Sequence, residues 1–218
     1  MTASTPTLEV EQGLFADADI VIGVDEVGRG ALAGPVAVGA CAITREQLAS
    51  AIPEGLRDSK LLTAKRRLAL APRASDWAHA SAVGWASAAE IDEFGIGSCL
   101  ATAAIRALGM LWDAGVDLTR ATILLDGTHD WLTPAMQHPL STVVRAKADR
   151  DCASVAAASV IAKVARDAHM AQLLECEPDW GRYGWATNVG YGSAKHRDAI
   201  REHGPCAEHR RTWLGKIL

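Results

Sequence analysis

The chain has 218 residues, 49% hydrophobic and 22% charged, with 22 Lys+Arg against 26 Asp+Glu and a formal net charge of -4. A chain of that length buries a full core unaided, and five scattered cysteines with no C-x-x-C pair exclude a disulfide framework and a zinc knuckle. The acidic start lacks the basic and apolar regions of a secretory signal, and the uncharged run 31–44 is too short to cross a bilayer, so the expectation is a soluble, cytoplasmic protein without a membrane partner.

Residues 1–18 are polar and aperiodic and read as a flexible arm, leaving 19–218 as the folded domain. Two apolar, β-rich runs at 20–24 and 34–43 predict neighbouring strands, separated by the glycine-bearing segment 25–30. Helical spacing over 61–70 follows a Thr63 cap and ends near Pro72. Alternation over 79–87 predicts a third strand. Ser87 caps a short acidic helix to 93, and 98–114 form a longer one stopped by Gly115. Residues 122–125 are a buried strand that delivers Asp126 at its carboxyl end, and 140–145 are another short strand. The Ala-rich stretch 152–174 is the longest predicted helix. Residues 175–218 are rich in Gly, Trp, His and Arg, and form a helix at 193–203 within otherwise irregular backbone. Strands first, then helices alternating with strands, imply an α/β layer fold with a mixed sheet.

The chemistry is suggested by where carboxylates fall. Asp25 and Glu26 follow one buried run, and Asp126 follows another. A lone acidic residue at a strand end is commonly a turn former or helix cap. Several projecting from one sheet repel one another, and a hard divalent cation such as Mg²⁺ resolves that repulsion. Gly28-Arg29-Gly30 comes directly after the acidic pair. Glycines admit close approach to a ligand and the arginine supplies a charged fork, which suits a phosphodiester or sugar edge. The segment lacks the third glycine of a dinucleotide fingerprint and is not a P-loop.

Val24-Asp25-Glu26-Val27-Gly28-Arg29-Gly30, followed by Ala33-Gly34-Pro35-Val36, resembles the opening signature of type 2 ribonucleases H, specifically the bacterial ribonuclease HII family. Asp58-Ser59-Lys60-Leu61-Leu62, Leu125-Asp126-Gly127, Lys147-Ala148-Asp149, the run from Ala156 to Asp167, Gly190-Tyr191-Gly192, Lys195-His196 and His209-Arg210 extend the resemblance in order over about residues 20–213. It implies a ribonuclease H-like mixed five-stranded sheet flanked by helices, with a small helical C-terminal region at 175–218 that grips substrate.

The resemblance further implies that Asp25, Glu26, Asp126 and Asp149 hold two divalent ions, Mn²⁺ or Mg²⁺. From the residues alone, Asp149, Asp151 and Asp167 are interchangeable as caps or surface charges, and Asp151 is the main competitor to Asp149. The implied partner is an RNA/DNA hybrid or ribonucleotide-containing duplex DNA. The implied reaction is endonucleolytic hydrolysis on the 5′ side of a ribonucleotide, leaving a 5′-phosphate and a 3′-hydroxyl. Gly28, Arg29 and Gly30 would read the 2′-hydroxyl, largely through backbone, and Tyr191 would pack on the sugar of the next deoxynucleotide. Lys60 would contact phosphate, with Ser59, Lys163 and Lys195 as secondary candidates. His129, near Asp126, is set aside as a base because metal activation supplies the hydroxide. Of the seven tryptophans only Trp180 and Trp185, beside the basic end, are candidates for base stacking. The protein is expected to act as a monomer. Its charge runs from -5 over residues 1–60 and -2 over 61–138 to +3 over 139–218. The four expected ligands contribute -4, which two divalent ions would offset, so acidity does not exclude nucleic acid.

Overall fold

The computed structural model describes residues 5–218. Its five-stranded sheet has the order β3-β2-β1-β4-β5, built from β1 (Ile20–Val27), β2 (Val36–Ile43), β3 (Ala80–Ala86), β4 (Ala121–Asp126) and β5 (Ser141–Arg145). The first three strands are antiparallel neighbours, while β4 joins β1 in parallel and β5 joins β4 in parallel. This is the expected mixed sheet. The second strand starts two residues after position 34 because Gly34 has φ +77° and Pro35 has no N–H to give a ladder. The first runs on past position 24: Asp25 pairs with Gly39 and Glu26 with Val38, so the acidic pair belongs to the strand and not to a turn.

Helices cover both faces. They are α1 (Glu9–Leu14), α2 (Arg45–Ala49), α3 (Ala64–Trp77), α4 (Ala88–Asp113), α5 (Ala148–Asp151), α6 (Ala153–Cys176), α7 (Trp185–Asn188) and α8 (Ala194–His203). Ile20, Ile22 and Val24 pack toward α4, while Val21 packs toward α6, as strand alternation requires. The backbone of α6 lies directly on the sheet: a Cβ on Gly23 would stand 2.3 Å from the Ser154 carbonyl carbon, and one on Gly39 would stand 2.4 Å from the Ala158 oxygen. The small residues of α6 permit that approach.

Caps set most helix starts as expected. Thr63 accepts from the Arg66 N–H, Ser87 forms a reciprocal box with Glu90, and Ser193 accepts from the His196 N–H. The two helices expected over 87–114 are arms of one element, bent at Gly95 with φ 79°. By length and composition α4 could cross a membrane, yet its apolar face is buried in the core against the sheet. Pro72 does not end α3, which continues to Trp77. Its ring and Leu68, whose carbonyl loses the helical donor, are both on the exposed side, where water can serve that carbonyl.

The expected flexible arm is the clearest departure. Residues 1–4 lie outside the described residues, but the rest of the segment is docked. Thr7 bridges to Cys152, α1 follows, and Phe15 is buried in the core beneath α6. Glu11 is fully buried and accepts from the Ser154 N–H at 2.9 Å and the Ser154 hydroxyl at 2.8 Å, so it serves the amino end of α6, where a negative charge is favoured. Burial pushes its carboxyl pKa up, against the lowering effect of the Ser154 bonds.

Candidate active site

The last paired position between β1 and β4 is Val24 with Leu125. One residue beyond it stand Asp25 and Asp126. Position 25 shares its face with Val21, and position 126 with Leu124, so both carboxylates belong to the α6 side of adjacent strands, whose spacing is about 4.8 Å. Glu26, of opposite parity, leans away and pairs with Arg29, Nη1 to Oε1 3.3 Å. Asp149 comes from α5, immediately before α6. The backbone N–H groups of Ala148 and Asp149 donate to Asp126 Oδ1 at 2.7 and 3.3 Å, tying α5 to the end of β4.

The electrostatics follow from this crowding. Burial holds the Asp25 carboxyl well above the usual carboxylate range, and Glu26 and Asp126 add to the effect against Ser159 and Lys60. Asp126 is raised by burial, then by Asp149 and Glu26, despite its two backbone donors. Lys60 answers with a positive charge: Nζ lies 3.2 Å from Asp149 Oδ2. Burial opposes that charge, but Asp25, Asp58 and Asp149 outweigh it and raise the Lys60 pKa. Asp151 faces elsewhere. Arg150 holds both its oxygens at 2.8 and 3.1 Å and, with Arg145 nearby, keeps its pKa low.

A cleft of about 420 Å³ is lined by Asp25, Glu26, Asp126, residues 28–30, Ser59, Lys60, Lys163 and Tyr191. The structure thus gathers there all but one of the residues that the sequence singled out first; Asp149 meets the rim through Lys60. Tyr191 accepts from the Gly28 N–H at 3.1 Å, and its ring has the Lys163 ammonium 5.5 Å from the centroid. Gly28 is required for a reason the sequence did not show. Its φ is +81°, and an added Cβ would fall 2.0 Å from Arg166 Nε, whereas a Cβ on Gly30 would meet nothing.

The secondary candidates divide. Ser59 is buried and bonds Ser159, Oγ to Oγ 2.9 Å, so it is a packing contact. Lys163 bonds Asp167 at 2.7 Å while facing the cleft, and Lys195 lies beside Gly184, away from the carboxylates. Trp185 is buried, stacked on Tyr183 and bonded through Nε1 to His196, so it offers no face to a base, and Trp180 packs edge-on against it. His129 bonds Thr128 and lines a neighbouring depression with Glu26 and Asp126.

The family model for ribonuclease HII matches residues 22–216, and the ribonuclease HII of Streptomyces griseus subsp. griseus is 46% identical over 215 residues, which is 98% of this chain and 86% of that protein. This chain belongs to the ribonuclease HII family. The ribonuclease HII of Prochlorococcus marinus is 43% identical over 204 residues, covering 92% of this chain and 94% of that one. The ribonuclease H2 of Pyrococcus horikoshii shares the fold with a TM-score of 0.72 at 27% identity, over 91% of this chain and 96% of that one. As a ribonuclease HII the chain is a divalent-metal-dependent endoribonuclease of RNA/DNA hybrids that leaves 5′-phosphate ends.

The donor set of this ribonuclease HII suits such an ion in chemistry: carboxylate oxygens only, with Asp25 and Asp126 held toward protonation by burial and by neighbouring carboxylates, a strain that a hard cation removes. Among the described residues no three His, Cys, Asp or Glu side chains already stand at metal-holding spacing. The ammonium of Lys60 stands among them beside Asp149, and the Arg29 guanidinium beside Glu26. Sequence reading passed over two further residues beneath the 28–30 loop, Arg166 and Arg210. Both occur in the quoted motifs without a role, and burial of a charged side chain leaves no local pattern that would have revealed one.

Proposed function

We propose that this ribonuclease HII cuts the RNA strand of RNA/DNA hybrids and also cleaves on the 5′ side of single ribonucleotides embedded in duplex DNA, with two divalent ions, Mg²⁺ or Mn²⁺, held by Asp25, Glu26, Asp126 and Asp149. The observation that carries this reading is the placement of Asp25 and Asp126 on one face of adjacent strands, one residue past their last pair, with α5 bonded to Asp126. When bound, the ions supply an activated water and stabilise the leaving 3′-oxygen.

The chain's own residues do the rest. The backbone of Gly28, Arg29 and Gly30 takes the 2′-hydroxyl, the feature that separates RNA from DNA. Tyr191 lies against the sugar of the following deoxynucleotide, and its bond to the Gly28 N–H couples the two recognition elements. Lys60 exchanges Asp149 for a substrate phosphate, and Lys163 supports the cleft from the Tyr191 side. Asp25, the most deeply buried of these four carboxylates, would lose its raised pKa with a cation bound beside it. We read the protein as a cytoplasmic monomer, in keeping with the buried unpaired thiols of Cys41, Cys99 and Cys152.

The test is a labelled DNA duplex bearing one ribonucleotide, incubated with Mg²⁺ or Mn²⁺, with chelator and Asp126→Asn as controls. Cutting at the 5′ side of the ribonucleotide, lost in both controls, is expected. Equal cutting of an all-DNA duplex, or cutting that survives chelation, would sink the reading.

A further inference from the structure

Arg166 and Arg210 are fully buried, and among the described residues neither forms an ion pair. A guanidinium taken out of water without a counter-ion is costly, so it persists only where its hydrogen bonds are well met. Every hydrogen bond here goes to a main-chain carbonyl. Arg210 donates to Gly28 O at 2.7 Å, to Arg29 O at 2.9 Å, and twice to Gly34 O at 3.1 and 3.2 Å. Arg166 donates to Ala33 O at 3.1 Å, Pro35 O at 2.9 Å and Val189 O at 2.9 Å. Two side chains, one from α6 and one from near the carboxyl end, thus gather six carbonyls from two loops.

The consequence comes from peptide geometry. In a planar trans peptide the carbonyl and the following N–H point in opposite directions. With the Gly28 and Arg29 carbonyls drawn down onto Arg210, the N–H groups of Arg29 and Gly30 are turned away from the core. Neither amide has an intramolecular partner among the described residues, and both residues line the cleft beside the carboxylates. Adjacent amides aimed to one side form a concave donor pair suited to an oxygen ligand. Arg166 performs the same service for the facing loop. Its bond to Val189 O holds that β-branched residue at φ 43°, a left-handed conformation it adopts only under constraint, two positions before Tyr191. Its guanidinium carbon also lies 5.4 Å from the Tyr191 ring centroid.

We propose that Arg210 and Arg166 are positioning residues that set the discrimination between ribose and deoxyribose, by fixing the direction of the Arg29 and Gly30 amides and the seat of Tyr191. This rests on the reading that the 28–30 loop takes the 2′-hydroxyl. A lysine in either place keeps the charge but reaches one carbonyl where the planar fork reaches several.

The experiment compares the full chain with Arg210→Lys and Arg166→Lys, each held well below its own melting temperature. Affinity is measured in Ca²⁺ for a DNA duplex with one ribonucleotide and for the same duplex all in deoxy form, and cleavage of the first is followed in Mg²⁺. The expected result is a ribose preference cut at least tenfold in Arg210→Lys, with affinity for the all-DNA duplex within twofold of the parent. A merely structural role would leave that ratio unmoved. Retention of the parent's preference in both folded variants overturns the proposal alone. If the parent itself binds the two duplexes equally, the 2′-hydroxyl reading fails and the proposal falls with it. Failure of both variants to fold also overturns it, because the arginines would then serve stability only.

Discussion

Lys60 and Asp149 meet in an ion pair, Nζ to Oδ2 3.2 Å, although 89 positions separate them. The contact draws the turn that carries Asp58 and Ser59 over the start of α5, so that a flexible cation stands among the carboxylates. An ammonium that can leave Asp149 for a phosphate should show itself in the salt dependence of binding. Lys60→Ala is expected to lower the slope of log affinity against log salt by about 0.9 on a hybrid duplex, as one released counterion requires. Anisotropy titrations at several salt concentrations measure it, and an unchanged slope would confine Lys60 to holding Asp149.

Asp149 and Asp151 are two residues apart and differ in every contact. Asp149→Asn is expected to reduce cleavage by at least about 100-fold in saturating Mg²⁺, the scale on which disturbed metal sites lose function. Asp151→Asn, whose partners are the half-exposed Arg150 and Arg145, should stay within about threefold, since a solvent-screened pair of this kind contributes little. Single-turnover rates on one substrate decide between them.

Asp25 is held toward its protonated form by burial, so in metal-free protein its ionisation works against the fold. A group with a raised folded pKa contributes stability that is fully present below its unfolded value and is lost once pH has risen through its folded value. Asp25→Asn should therefore melt higher than the parent at neutral pH in chelator, by about 2–4 °C for each kcal/mol relieved in a chain of this size. The gap should close as pH falls toward the ordinary carboxylate range, and cleavage should be absent at every pH. Thermal melts across pH test the sign; a gap that widens on acidification contradicts the assignment.

Gly28 and Gly30 look alike in the motif and are not alike in space. Gly28→Ala forces a methyl onto Arg166 at a left-handed φ and is expected to cost about 1–3 kcal/mol of stability along with most of the activity. Gly30→Ala meets open space and should leave the melting temperature within about 1–2 °C, a shift of the size expected from half a kcal/mol at a surface site. Urea unfolding of the two variants separates these cases.

Glu11 links the N-terminal segment to the start of α6. Glu11→Ala removes two bonds to Ser154 and should destabilise the fold by about 1–2 kcal/mol, the usual scale for a lost helix cap. Because Thr7 pairs with Cys152 at the junction of α5 and α6, the same variant should show faster amide exchange around Asp149.

Much of this was legible in residue order because local rules govern it. Strand alternation, the caps at Thr63, Ser87 and Ser193, and the apolar run ending at Asp126 each depend on neighbours a few positions away. So do the small residues of α6, whose role against Gly23 and Gly39 nonetheless needed the fold to be seen. The motifs carried the family and, by resemblance, chose Asp149 over Asp151; the residues alone left the two equivalent, and in the structure one stands against Lys60 and the other against Arg150.

What only tertiary structure decided is where charge goes when it leaves water. Glu11 turned an expected arm into a docked helix, Ser59 was tied to Ser159 in the wall of the cleft, Trp185 was withdrawn into packing, and Arg166 and Arg210 were sent beneath the 28–30 loop. Those outcomes depend on partners brought from as far as 182 positions away, as Arg210 is to Gly28. Composition and spacing by themselves determined which groups are available for chemistry. The fold determined which of them face solvent, because desolvating a charge is favourable only where distant parts of the chain supply its hydrogen bonds.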